Sequence, residues 1–252
     1  MNVTYNERQL QLLHMLEREG EAKVSELKSH FGVTEMTIRR DLERLEQSGS
    51  VRRIFGGAIY LGRDITLKER AGMLLEEKIR IGKHAASLIR SGDSIFIDGG
   101  TTAYQIARHV PEGIGVTVVT NALNVAHELS DKKITTIVTG GLIQEATSTL
   151  VGPHASATLS GMAFNRAFLG ATGVSARHGF SNSNIYEAEI KRTAIMQANE
   201  TVVVLDHSKF GASELFSFAE LKAAARIVTD RGPDEELHQA CLEAEVEIMV
   251  CP

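Results

Sequence analysis

The sequence predicts a two-domain chain: a winged helix-turn-helix over residues 1–60, a linker over 61–77, and a mostly parallel α/β domain over 78–252. Two changes of pattern lead there. In the first fifty residues apolar side chains recur at the helical period, and two short β-prone runs around a Gly-Gly pair follow. From about residue 78, β-branched runs alternate with stretches long enough for crossover helices. At 252 residues, 43% hydrophobic and 23% charged, the chain can bury two ordinary cores and is not disordered.

The N-terminal elements follow in order. Thr4 and Glu7 have the spacing of a capping box, and Leu10, Leu13 and Leu16 then form one apolar stripe that ends near Gly20. A second helix runs from about Val24 to Phe31, with Leu27 and Phe31 four apart and Gly32 as its stop. After the turn Gly32-Val33-Thr34, with Thr34 as N-cap, a third helix buries Ile38, Leu42 and Leu45 and ends at Gly49. Two helices joined by a tight Gly-containing turn, the second amphipathic and basic, make a helix-turn-helix. On its outer side the third helix presents Glu35, Thr37, Arg40 and Arg44, with Arg39 beside them, and an arginine can take guanine O6 and N7 together. The runs Val51–Ile54 and Ala58–Tyr60 flank Phe55-Gly56-Gly57 as a hairpin wing, with Arg52 and Arg53 placed for phosphates.

Charge supports a targeted contact. The formal net charge is −5, yet residues 1–60 balance nine cations against nine anions, and five arginines fall between residues 39 and 53. A local basic face on an acidic chain is not a general nucleic-acid coat. The two cysteines, Cys241 and Cys251, form no CxxC and have no histidine pair nearby, so neither a disulfide framework nor a metal site is expected. Without a leader or a long apolar run, the chain reads as cytosolic.

In the second domain the strands are expected at 94–98, 115–120, 134–139, 167–170, 201–206, 226–229 and 246–250. Open parallel sheets collect ligands beyond the carboxyl ends of their strands. The residues there form a consistent set: Asp98-Gly99-Gly100-Thr101-Thr102, then Asn121, Gly140-Gly141, Thr172-Gly173, and Asp206-His207-Ser208-Lys209-Phe210-Gly211. Glycines let backbone N–H groups approach an anion, threonines add hydroxyls, and a helix N-terminus adds partial positive charge. One Gly-Gly after a strand is usually only a tight turn; five such loops together point to a polar, oxyanion-bearing ligand. Neither a GxGxxG nor a GxxxxGK[ST] string is present, so no nucleotide cofactor is implied. Glu187 and Lys191, four apart, share a helix face, and as a surface ion pair they would contribute only about 0.3–0.5 kcal/mol.

The string Thr34-Glu35-Met36-Thr37-Ile38-Arg39-Arg40-Asp41-Leu42, with Arg8, Leu12 and Leu16 upstream and Gly56-Gly57 after the wing strand, resembles the N-terminal signature of the DeoR family of bacterial transcription regulators. Asp98–Thr102, Gly140-Gly141, Gly152, Gly179-Phe180, Glu187–Arg192 and Asp206–Gly211 resemble that family's sensor domain, so the likeness spans nearly the whole chain. It implies a sensor similar in fold to ribose-5-phosphate isomerase and glucosamine-6-phosphate deaminase, and a phosphorylated sugar or sugar-derived effector. Carried over, Gly100, Thr101 and Thr102 with Gly140 and Gly141 would cradle the phosphate. Asp206 and Lys209 would meet the sugar, Glu187 and Lys191 would stand at the rim, and Asp98 and Asn121 would complete the set. Ser181-Asn182-Ser183-Asn184 departs from the family's commoner Thr-Pro-Asn form.

The reading that follows is a repressor of a sugar-metabolism operon that binds double-stranded operator DNA. A charge-neutral reading head binds weakly alone, so a homodimer or homotetramer joined through the sensor domains is expected. A sugar-phosphate isomerase or deaminase with a DNA-binding appendage is the alternative. Against it, the Gly170–Gly173 loop lacks the acid such an isomerase carries, and a DNA reader has no role in turnover. A third reading, a winged helix that docks a protein, is separated by replacing Arg39 and Arg40.

Overall fold

The computed structural model describes residues 5–47, 51–60 and 67–252, in two compact units, Met1–Met73 and Leu74–Pro252. In the first unit α1 (Glu7–Glu19), β1 (Glu21–Lys23), α2 (Val24–Phe31), α3 (Glu35–Gln47), β2 (Val51–Ile54), β3 (Gly57–Tyr60) and α4 (Leu67–Ala71) follow one another. Leu12, Leu13, Leu16, Leu27, Ile38, Leu42 and Leu45 are fully buried together, so the 3.6-residue stripes face a single core. The capping expectation is corrected. Thr4 lies outside the described residues, and α1 is capped by Asn6, whose side chain accepts from the Gln9 N–H while the Gln9 side chain accepts from the Asn6 N–H. Gly49, expected to end α3, also lies outside them. The wing gains a strand that the sequence reading missed: β1 pairs antiparallel with β3, giving the order β1-β3-β2. Three residues are too few for a periodicity to show, but Ala22 at their centre is buried.

The second unit contains α5 (Leu75–Ala86), β4 (Ser94–Ile97), α6 (Thr101–His109), β5 (Thr117–Thr120), α7 (Leu123–Asp131), β6 (Thr135–Val138), β7 (Leu142–Gln144), β8 (Thr149–Val151) and α8 (Pro153–Ser160). There follow β9 (Phe164–Gly170), β10 (Gly173–Ser175), β11 (Gly179–Asn182), α9 (Ile185–Gln197), β12 (Ala198–Val204), β13 (Phe216–Ala219), β14 (Arg226–Thr229), α10 (Glu235–Glu243) and β15 (Glu247–Val250). Helices α4 and the start of α5 occupy part of the segment read as linker; residues 61–66 lie outside the description.

Seven strands form one wholly parallel sheet in the order β15-β14-β12-β9-β4-β5-β6, and they are the seven runs read from the sequence. Both faces are covered, as parallel sheets require. Phe96 enters one apolar core while Ile95 and Ile97 enter the other, and Val203 and Val202 divide in the same way. Strand order reverses between β4 and β9, which makes their carboxyl ends the switch point where such sheets bind ligands. Two small antiparallel sheets, β7-β8 and β10-β11-β13, were not expected. Their strands are only three or four residues long, and β10 and β11 carry Gly, Ser and Asn, residues with little strand preference. No helix among the described residues is long and apolar enough to cross a membrane.

Candidate effector site and DNA-reading surface

Helix α3 is set by its buried stripe and by one buried acid. Asp41 accepts from Arg8 Nε at 2.7 Å and from Gln9 Nε2 at 2.8 Å, tying α3 to α1. The acid in Arg39-Arg40-Asp41-Leu42 is therefore structural. Thr34 holds the first turn: its Oγ1 accepts from the Thr37 N–H at 3.3 Å and lies 2.9 Å from Thr37 Oγ1. Glu35 is exposed but engaged by Arg39, whose guanidinium donates at 2.6 and 3.0 Å. Arg40, Arg44 and Arg52 are exposed and form no ion pair among the described residues. Arg53, also exposed, donates both its backbone N–H and its Nε to Glu46, at 2.8 and 2.7 Å, which joins the wing to α3 and depresses the Glu46 carboxyl. Glu35, Arg39, Arg40, Arg44 and Arg52 are thus among the exposed charges of this surface, with Thr34 and Thr37 shaping the start of its helix.

In the second unit the loop after β4 carries the densest chemistry. Gly99 has no room for a side chain, since a Cβ there would lie 2.1 Å from Thr149 Cγ2. Gly100, at φ +121°, turns the chain into α6, whose N-terminus has no side-chain cap. The first-turn N–H groups of Thr101 and Thr102 therefore face outward at the positive end of a nine-residue helix, the arrangement that binds anions.

Around this loop the structure gathers buried charges. Lys191 Nζ donates to Asp98 Oδ2, and the Gly170 N–H reaches the same oxygen at 3.1 Å. Their side chains are 5% and 4% exposed, so the rim expected for Lys191 is corrected: it lies in the interior, with Nζ 5.6 Å from the centre of the Phe218 ring. Glu187 does not pair with Lys191 by a direct contact either. Its Oε1 accepts from the Thr147 hydroxyl and from Thr149 Oγ1 at 3.0 Å, and its Oε2 accepts from Asn182 Nδ2 at 2.8 Å. Burial pushes the Asp98 carboxyl above its usual range, and the Lys191 ammonium and Gly170 N–H pull against that shift. Burial pushes on Glu187 as well, but the Lys191 charge and its three donors outweigh it and hold the carboxyl below its usual range.

A second cluster follows β12. Asp206 is buried and accepts from the Ser208 N–H at 3.1 Å and from the Ser208 hydroxyl. Against its burial, the charges of Lys209 and Lys78 hold its carboxyl low. His207 Nδ1 lies 2.6 Å from Asp230 Oδ2. Phe210 bridges to Val174, which ties the half-buried Lys209 loop to β10. Asn121, fully buried, donates to the Leu150 carbonyl at 3.3 Å, and its Oδ1 has no hydrogen-bond partner among the described residues.

Gly140 and Gly141 stand apart. They follow β6, two strands from β4, or about 10 Å at the usual spacing. A Cβ on Gly141 would lie 2.6 Å from the Val151 carbonyl oxygen, so that glycine permits a close approach to the end of β8. Thr147, Thr149, Asn182 and Lys78 were missed in the sequence reading. Thr147 and Thr149 lie on a hairpin with no sequence signal. Lys191, by contrast, was legible: with Ala188 and Ala194 it falls at i±3 on a buried face. An open cleft of about 740 Å³ lies at the opposite, amino ends of β12 and β14, near Glu200 and Lys222, away from these groups. Among the described residues no cluster of His, Cys, Asp and Glu is arranged to hold a metal ion.

A reading helix and wing on one unit, with a parallel sheet bearing an uncapped helix N-terminus and buried ion pairs on the other, define the class of ligand-responsive transcription regulators. Residues 8–64 match the DeoR-like helix-turn-helix domain, and residues 74–231 match the DeoR C-terminal sensor domain. The chain belongs to the DeoR family. It is 36% identical over 250 residues to the uncharacterized HTH-type transcriptional regulator YulB of Bacillus subtilis, covering 98% of this chain and 96% of that one. With the regulator IolR of the same species it shares 33% over 232 residues (91% and 92%), and with the transcriptional repressor GlcR, 32% over 248 residues (97% and 95%). These are regulators and not enzymes, which decides against the isomerase alternative. Ribose 5-phosphate isomerase A of Methanocaldococcus jannaschii aligns with 53% of this chain and 53% of its own at 19% identity and a TM-score of 0.40, a likeness too slight to carry ligand or reaction across.

Proposed function

We propose that this chain is a cytoplasmic repressor of a sugar-metabolism operon whose hold on operator DNA is set by a phosphorylated sugar bound to the sensor unit, and that it works as a homo-oligomer. The observation that carries the reading is the uncapped N-terminus of α6 beside Lys191, Asp98 and Glu187, at the switch point of the parallel sheet. A phosphate fits the free N–H groups of Thr101 and Thr102, and the sugar hydroxyls fit the fixed carboxylates and Asn182. Lys209 and Asp206 extend the same pocket on one side. Asn121, with its free buried Oδ1, extends it on the other. Gly140 and Gly141 act at a distance, Gly141 by letting the chain pack closely on Val151 at the end of β8.

On the DNA side, Arg40 and Arg44 read base edges from α3, Arg39 and Arg52 take phosphates, and Glu35, Thr34 and Thr37 orient the helix start. Arg53 acts by fixing the wing to Glu46. Oligomerisation supplies the repeated reading heads that a charge-neutral domain needs. The test is fluorescence anisotropy of labelled DNA from upstream of the chain's own gene at ~150 mM salt, titrated with a panel of sugar phosphates and the matching free sugars. Tight binding that one sugar phosphate reverses, and its free sugar does not, is the expected result. Binding that no phosphate alters would remove the sensor assignment, and no binding by folded protein would remove the operator assignment.

A further inference from the structure

The tip of the wing carries a side chain that the fold does not use. Ile54 pairs with Gly57, so β2 and β3 are joined by two residues alone, Phe55 and Gly56. Gly56 stands at φ +80° and takes the positive corner of the turn, which leaves the first corner to Phe55. Such corners ordinarily carry Gly, Pro, Asn, Asp or Ser. The core of the reading unit takes Val51, Ala58 and Tyr60 from the wing and not Phe55, which is fully exposed, with Ile54 beside it 45% exposed. The turn is nevertheless held on two sides. The Gly56 carbonyl accepts from the Val24 N–H at 2.9 Å, and Gly57 lies so close to β1 that a Cβ would stand 2.4 Å from the Ala22 carbonyl oxygen. On the other side Arg53 is fixed to Glu46 of α3. Two cations lie nearby in the wing: Lys23, opposite Gly57, and Arg52 are exposed and form no ion pair among the described residues. A phenyl ring that serves neither turn nor core is thus presented on a rigid corner beside positive charge.

We infer that Phe55 is a wedge for the minor groove of operator DNA: the ring enters between two base pairs, unstacks them and kinks the duplex, while Arg52 and Lys23 hold nearby phosphates. The inference rests on the operator reading and adds a contact to it. With α3 in the major groove, the wing that Arg53 and Glu46 fasten to that helix meets the adjacent minor groove. That groove is about 6 Å wide and offers few hydrogen-bond differences, so an apolar side chain there parts a base step instead of reading an edge. The unpaired cations beside the ring favour a polyanion as its occupant over another apolar surface. The rigid turn matters because a ring already in place loses little conformational entropy on insertion. Unstacking costs least at flexible pyrimidine–purine steps. Phe55 therefore gives the chain a preference for TA or CA/TG at a position where no side chain makes a hydrogen bond to a base.

Energy transfer between dyes on the two ends of an operator duplex, read alongside anisotropy at ~150 mM salt, tests it with the full chain. The parent should bend the duplex by roughly 20–90°, and Phe55→Ala should straighten it and weaken binding by on the order of 10-fold. Phe55→Leu, which keeps an apolar wedge, should keep most of the bend. Because the ring carries no charge, Phe55→Ala should retain the parental dependence of affinity on salt, whereas Arg52→Ala should lower that slope by about 1. Exchanging the kinked pyrimidine–purine step for AA should weaken the parent and leave Phe55→Ala indifferent. Phe55 lies outside the core, so thermal melts of these variants should match the parent. A straight duplex under the parent, or Phe55→Ala with parental affinity and bend, would overturn the inference and leave the operator reading standing. A parent that binds no DNA would overturn both. Phe55→Ala that binds and bends as the parent does, but sediments at a lower mass, would overturn it by placing the ring on a second copy.

Discussion

Replacing Lys191 by methionine removes one partner of a buried ion pair and leaves the other in place. Asp98 keeps the Gly170 N–H at 3.1 Å, but no other ion pair among the described residues balances its charge, and its side chain is only 4% exposed. Breaking such a pair by deleting one member costs about 3–5 kcal/mol. At about 2–4 °C per kcal/mol for a domain of this size, the melting temperature should fall by roughly 6–20 °C. The loss has a diagnostic pH dependence. Burial already pushes Asp98 upward, and without the ammonium the folded variant takes up a proton. The unfolded chain, with Asp98 at its ordinary value, does not bind that proton at neutral pH. Stability of the variant therefore falls as pH rises toward the raised folded value, by at most about 1.4 kcal/mol per unit. Urea denaturation of parent, Lys191→Met and Asp98→Asn/Lys191→Met at two pH values in this range measures this. The double variant, which removes both charges, should recover most of the stability and lose the extra pH slope. A single variant that loses under about 1 kcal/mol, or that has the parental pH slope, would refute the buried-pair account.

Other consequences are open to simpler assays. Arg40→Ala should weaken operator binding by roughly 5- to 150-fold in anisotropy with its thermal melt unchanged, the range for one lost base contact; an equal loss from unfolding would make it structural. Thr101→Ala and Lys209→Ala should leave operator affinity near the parental value and abolish the effector response, measured in the same titration. Gly99→Ala should destabilise the sensor unit by about 1–3 kcal/mol through the clash with Thr149, and Thr149→Ser, which removes the offending methyl, should restore most of it. Glu187 is held below its usual range when folded, so it contributes stability above the ordinary carboxylate range that is lost on acidification. Glu187→Gln should accordingly flatten the fall in melting temperature between about pH 5 and 3; an unchanged fall would show that the donors around Glu187 do not favour its charged form.

The parts of the fold that repeat a simple period were legible in the sequence. Leu10, Leu13, Leu16, Ile38 and Leu42 announce two helices by spacing alone, and all seven parallel strands stand out as β-branched runs because both of their faces are buried. What did not show is what lacks a period. β1 is three residues long, and β7, β8, β10, β11 and β13 are assembled by pairing with residues distant in sequence. The site divides in the same way. Asp98–Thr102 and Asp206–Lys209 are marked by their place after strands, a position that sequence reveals. The partners of Glu187 are brought from residues 147, 149 and 182, and only the fold supplies that meeting. The spacing of Glu187 and Lys191 was read correctly as one helix face, but spacing does not say whether that face is wet or dry. The apolar neighbours Ala188, Ile190 and Ala194 do say it.

The central claim is that one chain couples a sugar phosphate on the sensor unit to operator DNA on the reading unit. Linkage makes that coupling reciprocal: if the effector changes operator affinity by some factor, the operator must change effector affinity by the same factor, typically about 5- to 150-fold. The decisive measurement is therefore the dissociation constant of the effector by titration calorimetry, taken once with free protein and once with protein saturated by operator. The account predicts two different constants whose ratio equals the shift in operator affinity seen by anisotropy. Equal constants in the two titrations would contradict it.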